Sequence, residues 1–135
     1  MTDSNPTIVK ASAKGIGISP RKVGEVASLV RGRTVADALT ILEHTPRRAA
    51  QPVSKLIASA QANATNNHGL KSDGLVISEI FATSGIRYKR YRVHGRGRIN
   101  PFQRKTSNLY VRVTGETKPV KKPAAKKTAA KKEAK

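Results

Sequence analysis

The sequence has no cysteine and no tryptophan, and only eight acidic residues stand against 27 basic ones. Without cysteine the chain has neither disulfides nor a thiolate metal site. No apolar run approaches the roughly 20 residues that a membrane-spanning helix needs. The first twelve residues also lack the basic and then apolar order of a secretory signal. These absences exclude a disulfide-stapled protein and predict that the chain does not enter a membrane.

The residue types that usually carry catalysis are scarce and scattered. His44, His68 and His94 are far apart in the sequence and have no acidic neighbour at metal-ligand spacing. The Gly15-Ile16-Gly17 segment is not followed by the Lys and Ser/Thr of a phosphate-binding loop. Acidic residues are mostly isolated, so no general acid–base pair is indicated. We therefore predict no enzyme, no cofactor and no metal.

Positive charge is abundant and is concentrated toward the C-terminal end. The formal net charge is +19, and residues 86–112 hold nine basic residues and no acidic one. Residues 113–135 add eight basic and two acidic residues. Such a concentration favours a polyanionic partner, because each neutralised phosphate releases condensed counterions. Nucleic acid is the leading candidate, and an anionic membrane surface is the weaker one.

The length of 135 residues indicates one domain with an extension. Residues 1–115 carry regular apolar patterns and form the predicted domain. Residues 116–135 are mainly Lys, Ala and Pro, with little to bury, and are predicted to be a disordered tail.

The apolar periodicity of residues 1–115 predicts an α+β fold, with three helices packed on a small antiparallel sheet. Residues 7–18 alternate with a period of two, which indicates a strand. Helices are predicted over about 20–31, over 34–44, and from a Thr45-Pro46 start to a stop at residues 67–69. Pro52 lies inside the third helix, where a kink or a frayed first turn is expected. Residues 75–84 and 106–113 are predicted strands.

Between these two strands lies the segment RYKRYRVHGRGRINPFQRK, residues 87–105. It is too long for a tight turn, so we predict that residues 86–93 and 98–106 continue the strands as a long β-hairpin at about 85–106. The apex then falls at residues 94–97, where Gly95 and Gly97 tolerate positive φ. At about 3.3 Å per residue the hairpin would project roughly 25 Å. A solvated arginine-rich loop is the plainer alternative.

The predicted nucleic-acid contacts are basic and aromatic side chains. Arginine suits bidentate phosphate contact, and aromatic rings stack on unpaired bases. Two pairs of cations are predicted in the first turns of the first and third helices, where they oppose the helix dipole, and this repetition favours phosphate contact over a merely solvated surface. The predicted contact residues are Lys14, Arg21, Lys22, Arg47, Arg48, Arg87, Tyr88, Lys89, Arg90, Tyr91, Arg92, Arg96, Arg98, Phe102, Arg104 and Lys105.

Several of these segments together resemble a known family. The segments ISPRKV, LVRGRTVADALTIL, TPRRAAQPVSKLIASAQANATNNHGL, ISEIFATSG, YKRYRVHGRGR and RKTSNLYVRV occur in the order found in the bacterial large-subunit ribosomal protein twenty-two family. The likeness is collinear over roughly residues 7–115.

The resemblance implies a structural constituent of the cytoplasmic large ribosomal subunit that binds its ribosomal RNA and helps assembly. It also implies that the hairpin tip, His94, Gly95, Arg96, Gly97 and Arg98, lines the nascent-peptide exit tunnel. The implied partners are ribosomal RNA, neighbouring proteins including large-subunit protein four at the tunnel constriction, and the nascent peptide. No homo-oligomer is expected.

Two other functions fit the composition less well. An architectural nucleoid DNA-binding protein with a β-ribbon arm would place an apolar wedge at the apex, where this chain has Gly and Arg. A membrane-binding peptide would need a basic amphipathic helix with bulky apolar residues. The predicted helices are instead rich in alanine and only mildly basic.

Overall fold

The fold places three helices on one face of a three-stranded antiparallel sheet. The computed structural model describes residues 7–115. In chain order the elements are β1 (Thr7–Ile16), α1 (Pro20–Val30), α2 (Val35–Glu43), α3 (Ala50–Asn66), β2 (Val76–Val93) and β3 (Ile99–Gly115). The sheet order is β1-β3-β2, so β3 is the central strand. The α+β prediction with a long hairpin is confirmed. The tail prediction concerns residues outside the described range.

The core lies between the helices and the inner face of the sheet, as the periodicity predicts. Alternate residues of β3 point inward and are buried, as are the apolar stripes of all three helices except Leu39 of α2, which is half-buried. Most of these side chains are Val, Ala, Leu or Ile, so the helices approach the sheet closely. The buried residues that lie on these periodic apolar stripes are Val9, Val23, Val26, Ala27, Val30, Val35, Ala38, Leu42, Ala49, Val53, Leu56, Ile57, Ala60, Ala64, Leu109, Val111 and Val113.

The ends of the first two helices follow local signals in the sequence. Thr34 caps α2: its Oγ1 accepts a hydrogen bond from the Asp37 backbone N–H at 3.3 Å and donates one to the Asp37 carboxylate at 2.7 Å. Gly32, just beyond α1, has a φ of 74°, which a residue with a Cβ rarely adopts. Ser19 precedes α1 but makes no capping hydrogen bond through its side chain.

The predicted start of the third helix is wrong by one turn. The helix α3 begins at Ala50 rather than at Pro46, and the Thr45 hydroxyl donates back to the Ile41 carbonyl of α2 at 2.7 Å. Pro52 is therefore the third helical residue, where no intrahelical N–H bond is lost. Arg47 and Arg48 consequently lie in the α2–α3 connection, not in the first turn of a helix.

Strand β2 contains two irregularities that period-two reasoning does not predict. Ile77 pairs with Val113 and Glu79 with Arg112, so Ser78 is an extra residue. Its hydroxyl donates to the Arg112 carbonyl at 3.0 Å. The bulge brings Ile77 and Ile80, three positions apart, to the same buried face.

The second bulge marks the root of the hairpin. Ser84 pairs with Ser107 and Arg87 with Lys105, so β2 has one residue more than β3 between these pairs. Strand β1 also bulges near this level, between Ala13 and Ile16. Both neighbours of the central strand are therefore irregular where the hairpin leaves the sheet. We call residues 87–105 the arm.

Candidate nucleic-acid interface

A cleft of about 810 Å³ collects five of the predicted cations from three parts of the chain. One wall is the start of α1, the second is the α2–α3 connection, and the third is the part of β3 where the arm joins the domain. We call it the basic cleft. Its cations are Arg21, Lys22, Arg47, Arg48 and Lys105, and its other lining residues include Ser19, Glu25 and Gln103. Cations that are remote in sequence thus form one surface.

Glu25 is the single acidic residue that lines the basic cleft. Its Oε2 lies 2.5 Å from Nη1 of Arg47, and its Oε1 lies 3.7 Å from Nε of Arg21. The carboxylate therefore joins α1 to the α2–α3 connection and holds two guanidinium groups near each other. All three side chains remain accessible to solvent, with Arg21 91% exposed. Surface ion pairs of this kind contribute little to stability, so their effect is chiefly on where the arginines lie.

A smaller cavity continues the basic cleft to the root of the arm. It measures about 280 Å³ and is lined by Arg21, Arg87 and Lys105, together with Ser19, Pro20, Ser84 and Thr106. Arg21 and Lys105 line both cavities. The positively charged surface therefore runs without interruption from the start of α1 onto the arm.

The arm is a two-stranded ribbon with seven consecutive cross-strand pairs, from Arg87–Lys105 to Val93–Ile99. Every residue of the arm is exposed. Alternation along the ribbon places Arg87, Lys89 and Lys105 on one face and Arg90, Arg92 and Arg104 on the other. The prediction that cations occupy both faces of a hairpin is confirmed, and the alternative of an irregular loop is wrong.

Aromatic rings are interleaved with arginines on one face of the arm. The Arg90 guanidinium lies 5.7 Å from the centre of the Tyr88 ring, and that of Arg92 lies 5.3 Å from the centre of Phe102. Such cation–π pairs hold the guanidinium plane close to an exposed ring. Tyr91 lies on the opposite face and is 70% exposed. These groups are available for stacking, since no other described part of the chain covers them.

The tip of the arm is a five-residue turn between Val93 and Ile99. The His94 N–H donates to the Arg98 carbonyl at 2.8 Å and closes the turn. Positive φ angles occur at Arg96, 57°, and at Gly97, 71°, but not at Gly95. The positive φ predicted at Gly97 is therefore present. The positive φ predicted at Gly95 is absent, and the neighbouring Arg96 adopts the left-handed conformation instead. The Arg96 side chain is accordingly held at the apex by a backbone conformation unusual for its residue type.

Lys14 lies apart from the other predicted contacts. It is exposed, near the end of β1, within the segment where the pairing with β3 shifts, and it does not line the basic cleft. The next residue, Gly15, has a φ of 73° and its N–H donates to Oδ1 of Asn108 at 3.0 Å. The bulge and its side-chain bond fix the end of β1.

The sequence interpretation does not include Glu25 and Gln103 in the interface. Glu25 carries one signal, since an acid four residues after Arg21 on a helix predicts an ion pair. Nothing local indicates that it also reaches Arg47, because that contact depends on how α1 and the α2–α3 connection pack. Within residues 7–115 no group of three His, Asp or Glu side chains is placed to hold a metal ion. No helix in that range is long and apolar enough to cross a membrane.

The fold and the surface define a basic α+β domain with a projecting β-ribbon. A family profile described as ribosomal protein L22p/L17e matches residues 11–114. The large ribosomal subunit protein uL22 of Pseudothermotoga lettingae is 45% identical over 111 residues, which cover 82% of this chain and 80% of the relative. The chain belongs to the ribosomal protein L22p/L17e family.

Family membership confirms the resemblance found in the sequence. It makes the chain a structural protein of the large ribosomal subunit, with its place on the ribosome. The basic cleft and the arm together hold most of the exposed cations that the sequence singles out.

Proposed function

We propose that this chain binds large-subunit ribosomal RNA through the basic cleft and the arm, and that this binding helps the cytoplasmic large subunit to assemble. The observation that carries the proposal is the continuity of the cationic surface. Five cations from three parts of the chain line the cleft, and two of them, Arg21 and Lys105, also line the cavity at the arm root. The arm adds further cations without any acid. A folded polyanion matches such a surface in both charge and extent.

The basic cleft suits phosphate groups of folded RNA. Three of its five cations are arginines, whose planar forks bind phosphate oxygens in pairs. Glu25 neutralises part of this charge, yet the cations exceed it five to one. By holding Arg21 and Arg47, the carboxylate reduces the side-chain freedom that binding would otherwise remove.

The arm suits an environment in which RNA surrounds it. None of its residues is buried, and an isolated two-stranded ribbon has marginal stability in water. Phosphates would meet the arginines on both faces, while Tyr88, Tyr91 and Phe102 would stack on unpaired bases or pack in grooves. The RNA would thereby supply the packing that the protein itself does not provide.

The tip of the arm, His94 to Arg98, is proposed to line the nascent-peptide exit tunnel near its constriction. Support comes from the family resemblance and from the position of this turn at the far end of the ribbon. The proposed neighbours there are large-subunit protein four and the nascent peptide. The left-handed Arg96 would then present its cation at the tunnel wall.

Sedimentation of a lysate on a sucrose gradient, after a high-salt wash, tests this function. Co-migration of the chain with large subunits is expected, because a structural constituent is held by many simultaneous RNA contacts. Recovery of the chain with nucleoid DNA instead would support an architectural DNA-binding protein and overturn the ribosomal proposal. A wash at high salt is essential, since weak electrostatic association alone disappears as ionic strength rises.

A further inference from the structure

The outer face of the sheet carries an aromatic pair that lies outside the basic cleft and the arm. Phe81 of β2 and Tyr110 of β3 are cross-strand partners, with ring centres 5.3 Å apart and an interplanar angle of 22°. Phe81 is 40% exposed although the opposite face of the same strands forms the core. A stacked pair in this position has no role in the core.

A small cavity lies beside this pair. It measures about 270 Å³ and is lined by Lys10, Ser12, Phe81, Tyr110 and Arg112, with Ala11 and Val111. On the central strand, Tyr110 has Phe81 as its neighbour on one side and Ser12 on the other. Because the side chain of Ser12 is short, the space on that side of the tyrosine is open to a flat group.

The charged side chains that line the cavity are both cations. Lys10 and Arg112 are cross-strand partners at one end of it. Arg112 is paired with Glu79 at 2.9 Å, whereas Lys10 forms no ion pair among the described residues. The cavity therefore combines an aromatic wall, a serine hydroxyl and an uncompensated cation, which are the groups that recognise the ring, the sugar and the phosphate of a nucleotide.

We propose that the outer sheet face is a second RNA-binding site, in which one unpaired nucleotide stacks against Tyr110 while Lys10 contacts its phosphate. Around the cavity the apolar surface consists mainly of the two rings, with a polar and basic rim. The exposed apolar side chains Ile8 and Val76 lie on the same face at the level of Thr114, four positions along β3 from Tyr110. A patch of this small size beside the cavity suits one flat base better than the broad apolar patch of a protein interface. The inference rests on the proposed RNA-binding function and extends it to the outer sheet face, outside the basic cleft and the arm.

Photocrosslinking locates such a nucleotide directly. The probe is a single-stranded hexauridylate that contains 5-iodouridine, irradiated with the full chain and mapped by mass spectrometry. Crosslinks at Tyr110 or Phe81 support the site. Crosslinks confined to the arm or the basic cleft overturn it and leave the proposed RNA-binding function intact, whereas failure of the chain to bind any RNA overturns both.

The affinity of matched variants for the same probe tests the site a second way. Tyr110→Leu is expected to weaken binding about fivefold or more, because a stacked base contributes that much on substitution. Tyr110→Phe should bind like the parent chain, and so should Leu29→Ala, which changes an exposed apolar side chain on α1. Equal binding by Tyr110→Leu and the parent chain would contradict the site.

The salt dependence of Lys10→Gln gives a readout that is insensitive to packing, because Lys10 is exposed. Removal of one phosphate contact on a single strand should reduce the slope of log affinity against log salt by about 0.7. An unchanged slope would refute the proposed phosphate contact of Lys10.

Discussion

A Cβ atom built at Gly85 would lie 2.6 Å from Oγ1 of Thr106 on the neighbouring strand. The same hydroxyl donates to the Ile86 carbonyl at 2.7 Å, across the bulge where the arm leaves the sheet. The Thr106 hydroxyl therefore occupies the space that a side chain at residue 85 would need, and only glycine leaves that space free. This close approach lies at the bulge from which the arm leaves the sheet.

Gly85→Ala is expected to destabilise the domain by about 1–3 kcal/mol, because the added methyl group forces the two strands apart or breaks the Thr106 bond. The measurement is urea unfolding of the full chain. Gly24→Ala provides the control, since a Cβ there meets nothing within 4 Å and lies in α1. Gly24→Ala should raise the free energy of unfolding by about 0.5–1 kcal/mol, because alanine has a higher helix propensity than glycine. Equal effects of the two substitutions would refute the close contact at Gly85.

The arm should be dispensable for folding. Replacement of residues 88–104 by Asn-Gly joins Arg87 to Lys105, which are cross-strand partners, by a two-residue turn. Because no arm residue is buried, thermal unfolding should remain cooperative with a midpoint close to that of the parent chain. Affinity for large-subunit ribosomal RNA should fall sharply in the same variant. Loss of cooperative unfolding would show that the arm contributes to the core.

The basic cleft should account for part of the salt dependence of RNA binding. The double variant Arg47→Gln and Arg48→Gln removes two cations and should reduce the slope of log affinity against log salt by about 0.9 for each phosphate that it no longer binds. Lys55→Gln is the control, because Lys55 is an exposed cation of α3 that does not line the cleft. If both proteins showed the same slope per removed charge, the cleft would have no special role.

Glu25 should affect the preference of the chain for ribosomal RNA over other nucleic acids more than its overall affinity for nucleic acid. In Glu25→Gln the two arginines lose their shared carboxylate, so nonspecific binding should strengthen while the preference for ribosomal RNA over an unrelated duplex decreases. Glu43→Gln changes the net charge equally at an exposed residue of α2 outside the cleft. Competition binding with the two RNAs measures the preference. The same preference in both variants would mean that net charge alone explains the effect.

Periodicity and charge predict most of the fold because the core is regular. The buried stripe of α1 and the alternation of β3 follow directly from residue spacing, and the arm is indicated by its charge between two strands. The predicted start of α3 is wrong because the Thr45 hydroxyl donates back to a carbonyl of α2 instead of capping a new helix. A threonine before a proline is compatible with either role, so the local sequence does not distinguish them. The bulges at Ser78 and beside Gly85 depend on pairing between strands and leave no local pattern.

The sequence predicts the cations of the basic cleft but not the cleft itself. Its cations are identified by residue type, but their meeting depends on how the start of α1, the α2–α3 connection and the arm pack together. The Glu25–Arg47 ion pair spans 22 positions and the Phe81–Tyr110 pair spans two strands, so neither is visible in a single window of sequence. Such contacts arise from tertiary packing, which residue spacing within one element does not encode.

A density map of the assembled large subunit that contains this chain tests the proposed RNA contacts of the basic cleft and the arm most directly. The proposed function predicts that residues 87–105 run through ribosomal RNA, that phosphates occupy the basic cleft, and that His94 to Arg98 reach the wall of the exit tunnel. An arm that lies in solvent or wholly against other proteins, with no RNA in the cleft, would contradict it.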